Sequence, residues 1–199
     1  MSEHYFTADP VAEATPREFV ARIAGEDYRF TTAGGTFSAE RLDAGTAVLL
    51  ERGPQPSGTT LLDLGCGWGP VAVSLARRVP GATVWAVDVN RRALDLTRGN
   101  AAATGVGDRV RVAEPDAVPA DLAFDAIWSN PPIRVGKAEL HAMLLRWLPR
   151  LAPGGNAWLV VARNLGADSL AGWLAAEGFP TTRHASAKGY RVLRVDARG

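Results

Sequence analysis

The chain has 199 residues, 47% of them hydrophobic, enough for one domain with a substantial core. A formal net charge of +1 excludes the bulk basic signature of a nucleic-acid binder, and because only Lys137 and Lys188 among the 22 basic residues are lysines, the arginine content reads as base-composition bias. The single cysteine, Cys66, cannot close an internal disulfide and fits a reducing cytoplasm, no apolar run has spanning length, and the polar start MSEHYFTADP does not read as a signal peptide.

In chain order, residues 1–26 read as irregular or partly helical. Tyr28 to Thr32 alternates, Ala33-Gly34-Gly35 turns, and Thr36-Phe37-Ser38 returns, which predicts a small hairpin. Ser38 then caps a helix to about Arg52, with Leu42, Val48 and Leu49 on one side. Gly53 to Gly58 is a linker, so residues 1–58 form an extension packed on a domain of 59–199, the two making one compact unit. From Thr59 onward, apolar runs at 60–64, 83–87, 109–113, 124–129 and 156–162 read as buried strands. They alternate with helical stretches at about 69–79, 90–104, 136–151 and 166–178. Pro70 suits a first helical position and Asn90 an N-cap, while Leu140, Leu144, Trp147, Leu148 and Leu151 keep helical spacing. This alternation predicts an α/β fold with a mostly parallel sheet and helices on both faces. Thr181–Ala185 and Tyr190–Val195, joined around Lys188-Gly189, add two strands and an antiparallel end, for seven strands in all.

The first strand of that series runs into Asp63-Leu64-Gly65-Cys66-Gly67-Trp68-Gly69-Pro70, and the second ends at Asp88, 21 positions after Gly67. Glycines let a backbone approach a ligand closely, and an acid at about this distance holds ribose hydroxyls in nucleotide folds. The same residues also read as a glycine turn followed by a helix-capping Asp. The spacing is G-x-G-x-G, not the G-x-G-x-x-G of a dinucleotide site, and no P-loop occurs. Asp63 is poorly placed to face a pyrophosphate and well suited to an ammonium group.

The segment Asp63 to Gly69, with Asp88, resembles motif I and the ribose-binding acid of the class I S-adenosylmethionine (SAM) methyltransferases, which have a Rossmann-like fold. Leu151-Ala152-Pro153-Gly154-Gly155 is similar to their turn between the fourth helix and the next strand. The resemblance implies SAM as the cofactor. Gly65, Gly67 and Gly69 would line it with Cys66 packed beneath, Asp63 would hold the amino group, and Asp88 with Val89 would take the ribose. Asp116 with Ala117 would face the adenine, although Asp116 also reads as an ordinary Pro-Asp turn. His4, His141 and His184 lack metal-ligand spacing, and no metal is expected.

At the end of the fourth strand of the series stands Ser129-Asn130-Pro131-Pro132-Ile133-Arg134. Two prolines stop any strand or helix and fix the backbone. The Asn-Pro-Pro sequence is similar to the motif of methyltransferases that modify planar nitrogens. An exocyclic amine shares its lone pair with its ring and is a poor nucleophile. The Asn130 side-chain carbonyl and the Pro131 carbonyl would hold its two hydrogens and turn the lone pair toward the methyl group. Pro132 stiffens the turn, and Ile133 packs on the planar group where adenine- and glutamine-modifying relatives carry Tyr or Phe. The bland alternative is a proline stop after a core strand.

Three segments resemble the RsmC-type ribosomal small-subunit RNA guanine-N2 methyltransferases more narrowly: His4-Tyr5-Phe6-Thr7, Phe37-Ser38 with Leu42-Asp43-Ala44-Gly45-Thr46, and Asn130 to Lys137. Lys188-Gly189-Tyr190-Arg191-Val192 fits the same group. The sequence shows no second, degenerate methyltransferase-like domain of the kind these enzymes carry. The resemblance implies transfer to a guanine N2 in ribosomal RNA in the cytoplasm, with Phe37, Arg134, Lys137, Lys188 and Arg191 touching RNA. Each of these cations also reads as solvated charge. A protein amide or small molecule as substrate, or a SAM-binding assembly factor without catalysis, are the competing expectations. The oligomeric state is not legible.

Overall fold

A computed structural model describes residues 15–198, so the His4-Tyr5-Phe6-Thr7 segment lies outside the described residues. Strands β1 (Pro16–Ile23) and β2 (Glu26–Ala33) form an antiparallel hairpin in which Ile23 faces Glu26 across Ala24-Gly25. Both loop residues have positive φ, 51° and 88°, as a twist-matched two-residue turn requires. This corrects the expected hairpin: the partner of Tyr28–Thr32 precedes it, and residues 36–38 return no strand. An alanine in the turn, where Asn or Asp would advertise it, hid the real loop.

The helix expected from Ser38 starts later, as α1 (Ala44–Arg52), because the Asp43 side chain accepts from the Thr46 amide at 3.0 Å. Ser38 has φ 53° and bonds the Arg41 carbonyl, so it belongs to a turn before the helix. There follow β3 (Thr60–Leu64), α2 (Pro70–Arg78), β4 (Thr83–Val87), α3 (Arg91–Ala103), β5 (Val110–Ala113), β6 (Phe124–Ser129), α4 (Lys137–Trp147), β7 (Leu151–Ala162), α5 (Ala167–Ala176), β8 (Thr181–Ala187) and β9 (Tyr190–Asp196). Pro70 and Asn90 take the expected positions at helix starts.

The main sheet has seven strands in the order β5-β4-β3-β6-β7-β9-β8. Only β9 runs against its neighbours. Alternate residues of each strand enter opposite cores. Leu61, Trp128, Val160 and Val192 join the hairpin, α1, α2 and α3 on one face. Leu62, Ile127, Leu159 and Leu193 join α4 and α5 on the other. Trp68 seats the hairpin, with Phe30 and Phe19 rings 4.9 and 5.4 Å away, edge contacts worth about 0.5–1.5 kcal/mol each beyond area burial.

Two boundaries differ from expectation near α4. Pro149 lacks an amide hydrogen, so the helix ends at Trp147 and Leu148–Arg150 tightens to a 3-10 turn. Leu151 therefore opens β7 opposite Phe124, and Pro153-Gly154-Gly155 forms an irregularity within that strand in place of a turn before it. β3 and β6 pair in parallel, Asp63 beside Trp128, and Ser129 Oγ donates to the Leu64 carbonyl at 2.7 Å. The glycine loop and the Asn-Pro-Pro turn thus leave adjacent strand ends at the point where the chain order of the sheet reverses, where open α/β sheets bind ligands.

Candidate active site

Between those strand ends a cleft brings together Asp63, Gly65, Cys66, Gly67, Phe37 and Asn130. Gly65 and Gly67 have φ of 76° and 56°, and a Cβ built on either would meet nothing within 4 Å. The loop is therefore left-handed backbone with open space before it, into which a ligand can lie against the chain. Gly69 instead opens α2 and packs on Thr97, whose methyl carbon would stand 2.8 Å from an added Cβ.

Two carboxylates support the loop. Asp88 Oδ2 accepts from the Gly67 amide and Oδ1 from the Asn90 amide, each at 2.9 Å. A carboxylate has about four lone-pair sites, and with the Val89 amide also bonding to this one not all of them are taken. Burial pushes the Asp88 carboxyl above its ordinary range against those amide bonds. Asp63 is 2% exposed and accepts from the Ala72 amide at 2.8 Å. Burial, with Asp88 adding to it, pushes its carboxyl up to about 8. A buried acid of this kind regains its charge when a cation comes beside it, which fits the amino group of SAM. Burial also pushes the Cys66 thiol up, and Cys66 packs beside Thr97.

On the opposite wall, Asn130 is half-buried, and its Nδ2 donates to Asp43 Oδ2 at 2.7 Å and to Thr46 Oγ1 at 3.0 Å. The Ile133 amide donates to the Pro131 carbonyl at 2.8 Å, and Pro132 has φ −75° and ψ 76°. That is an inverse γ-turn. It fixes the direction of the Pro131 carbonyl. Ile133 is partly buried against the core under α4 and α5.

The segment before α1 is strapped over the glycine loop. Trp68 Nε1 donates to the Phe37 carbonyl at 3.0 Å, Asn90 Nδ2 to the Gly35 carbonyl at 2.8 Å, and an Arg92 guanidinium nitrogen to the Gly34 carbonyl at 2.7 Å. This places Phe37, 42% exposed, at the rim of the cleft. Val89 is likewise exposed, beside Asp88. The sequence marked Asn90 only as a helix N-cap, and gave no role to Asp43, Thr46 or the Trp68 side chain. The Leu42 to Thr46 segment was the signal available for Asp43 and Thr46.

Other expected residues stand apart from this cleft. Asp116 is 93% exposed and pairs with Arg146 at 2.7 Å, with Ala117 exposed beside it. Lys188 pairs with Glu51 at 3.6 Å, and Arg191 pairs with Asp168. Arg134 and Lys137 are exposed in the turn after Pro132 and at the start of α4. A larger cavity of about 570 Å³ lies between the hairpin and α3. Its arginines are engaged, Arg77 with Glu26 at 3.0 Å and Arg29 with Glu18 at 3.6 Å. Among the described residues, no group of three or more His, Cys, Asp or Glu could hold a metal ion, and no helix is long and apolar enough to cross a membrane.

Comparison with known proteins points the same way. The methyltransferase small domain family matches residues 27–194. The uncharacterized protein YbxB of Bacillus subtilis is 34% identical over 173 residues, covering 85% of this chain and 86% of that one. Ribosomal RNA small subunit methyltransferase C of Pseudomonas aeruginosa is 35% identical over 158 residues, 77% of this chain and 47% of the relative. The Thermus thermophilus 16S rRNA N2 G1207 methyltransferase, solved with AdoMet and guanosine, superposes with a TM-score of 0.79 at 30% identity, over 95% of this chain and 52% of that one. The chain spans about half the length of these two ribosomal RNA methyltransferases.

Proposed function

We propose a substrate for a chain that belongs to the methyltransferase small domain family and is a SAM-dependent methyltransferase: the exocyclic N2 amine of a guanine in ribosomal RNA. The observation that carries this reading is that Asn130 lines one cleft with the Gly65–Gly67 loop while Asp43 and Thr46 hold its amide nitrogen, which leaves its Oδ1 over; the γ-turn that follows fixes the Pro131 carbonyl beside it in the chain. Its support in substrate class comes from the relatives named for ribosomal RNA and from the guanosine in the Thermus structure.

In this reading Asp63 takes the amino group of the cofactor and Asp88 the ribose hydroxyls. Bound SAM supplies an electrophilic methyl carbon on a sulfonium. The two acceptors each take one hydrogen of the guanine amine, which pyramidalises the nitrogen and aims its lone pair at that carbon. The nitrogen–carbon bond forms as the carbon–sulfur bond breaks, leaving a neutral thioether. The methylated nitrogen then gives its extra proton to water, so no strong base is required. Preorganised acceptors of this kind need no reorientation at the moment of reaction. Ile133 and Phe37 offer apolar surface to the base, and a guanine in paired RNA must be extruded to reach them. Arg134 and Lys137 are the cations placed to meet phosphate. Lys188 and Arg191 contact RNA only by exchanging their present carboxylate partners. The 1–58 extension acting as one unit with the 59–199 domain, and a cytoplasmic location, belong to the same proposal.

Incubation with methyl-labelled SAM tests it. The substrates are small ribosomal subunits, naked ribosomal RNA and total protein, with the RNA digested to nucleosides afterwards. The expected product is N2-methylguanosine. Label confined to protein overturns the RNA assignment, and no label despite measured SAM binding overturns catalysis.

A further inference from the structure

We propose that Asp43 is a positioning residue for methyl transfer: its carboxylate and the Thr46 hydroxyl hold the amide nitrogen of Asn130, so that only Asn130 Oδ1 is left to face the amine. The inference rests on the role given to Asn130 above and assigns a function to residues that motif gives none.

The geometry is specific. Asp43 Oδ2 lies 2.7 Å from Asn130 Nδ2, and Thr46 Oγ1 lies 3.0 Å from it. A carboxylate can only accept hydrogen bonds, so the amide group that faces it must be the NH2. An Asn130 turned over by half a rotation would set its oxygen against a negative charge. The bond to Asp43 is charge-assisted, and such bonds are shorter and stronger than neutral ones. The prolines stiffen the backbone after Asn130 but leave its side-chain torsions free. Asp43 supplies the restraint that the prolines do not.

The same Asp43 oxygen also accepts from the Thr46 amide at 3.0 Å and so caps α1. The cap is held in place by close packing. A Cβ on Gly45 would stand 3.0 Å from Asp43 Oδ2 and 2.9 Å from the Tyr190 ring. Tyr190 therefore packs closely on the first turn of α1, and a side chain at 45 would crowd both its ring and the carboxylate.

A substrate class follows. With its amide hydrogens occupied, Asn130 presents lone pairs, as does Pro131. The group they accommodate must bring hydrogens, as an amine or carboxamide NH2 does. A carbonyl or phenolate oxygen meets lone pairs on both sides and is refused. Asp43 thereby sets the choice of nitrogen over oxygen without touching the substrate.

Asp43→Ser separates this role from helix capping. Serine is among the preferred N-caps but is too short to reach Asn130. Its thermal midpoint and SAM affinity should stay near those of the wild type, while the single-turnover rate falls about ten- to a hundredfold, the scale of a small misplacement of a reacting group. Asp43→Asn keeps one oxygen that can accept from both Thr46 and Asn130, and should recover most of that loss. The Asn130 side-chain amide resonances, identified by their disappearance in Asn130→Ala, give a readout free of any substrate. They should lie apart from exposed amides in the wild type and in Asp43→Asn, and join them in Asp43→Ser. Unshifted resonances in Asp43→Ser, or a wild-type rate there, overturn the proposal. A wild type that methylates no RNA overturns the substrate reading instead, and the resonances still decide the role of Asp43.

Discussion

The proposed cofactor wall of the cleft, its glycine loop, and the proposed amine wall, at Asn130, are built on different length scales. Asp63 to Gly69 is one loop, tied to the next strand end by amide bonds from Gly65 and Cys66 to the Val87 carbonyl and from Gly67 to Asp88. The amine wall joins Asn130 to Asp43 and Thr46, which lie 87 and 84 positions earlier, through side-chain bonds. The first wall is held by backbone bonds together with the Asp63 and Asp88 carboxylates, so losing one side chain leaves other ties in place. The second is held by three side chains, so removing one disorders it. Damage to the amine wall should then appear in turnover and damage to the cofactor wall in affinity.

The largest effect is expected at the amine wall. Asn130→Ala removes one preorganised partner, worth about 2.7–4 kcal/mol, a rate factor of about a hundred to a thousand. Single-turnover rates at saturating SAM measure it, with the SAM dissociation constant changing little. Asn130→Asp should not recover the rate, because it places a second carboxylate against Asp43.

Next in size is Asp88→Ala on the cofactor wall. Losing the net equivalent of one charge-assisted bond to ribose costs roughly 1.5–3 kcal/mol, so calorimetric SAM affinity should fall by about one to two orders of magnitude. NAD should bind neither form appreciably.

A smaller and distinct signature comes from Asp63. Its carboxyl is raised in the folded protein from the ordinary 3.8 to about 8. Between those values the ligand-free folded state keeps a proton that the unfolded chain has lost. The resulting stability is fully present below 3.8 and is lost as pH rises toward about 8, and the raised Asp88 adds in the same direction. Urea midpoints should fall across this window and fall less in Asp63→Asn. SAM affinity should move oppositely, rising with pH, because its amino group favours ionised Asp63; a flat affinity separates Asp63 from that contact.

The smallest effect is expected outside both walls. Arg134→Ala or Lys137→Ala should lower the salt dependence of RNA binding by about one phosphate contact and leave SAM affinity alone. Lys188→Ala and Arg191→Ala should change it less, because Glu51 and Asp168 already hold those cations.

The same contrast explains how much could be read from sequence. The cofactor wall was legible because its chemistry is contiguous: glycines at 65, 67 and 69 follow a strand, and Asp88 closes the next one. The strand-helix alternation from Thr59 onward, and the antiparallel end, followed from apolar runs of strand length. Asn130 and its prolines were legible for the same reason. Their support was not, because nothing local says that Asp43 meets Asn130. Only the pairing of β3 with β6 and the docking of α1 bring them together. The Ser38 cap and the misplaced hairpin failed in the same region, where positive φ at Ala24 and Ser38 falls on residues that rarely adopt it. The pairing of Asp116 with Arg146, a partner 30 positions away, was likewise not legible from the chain order that singled out Asp116.

The separation of the two walls is tested most directly by combining Asp88→Ala with Asn130→Ala and measuring SAM affinity and single-turnover rate on the same preparation. Distant, independent sites add within roughly 0.3–0.5 kcal/mol, about twofold. The predicted result is the dissociation constant of Asp88→Ala and, at saturating SAM, the rate of Asn130→Ala. A double variant that transfers methyl at close to the wild-type rate, or an Asn130→Ala that weakens SAM as much as Asp88→Ala does, would contradict it.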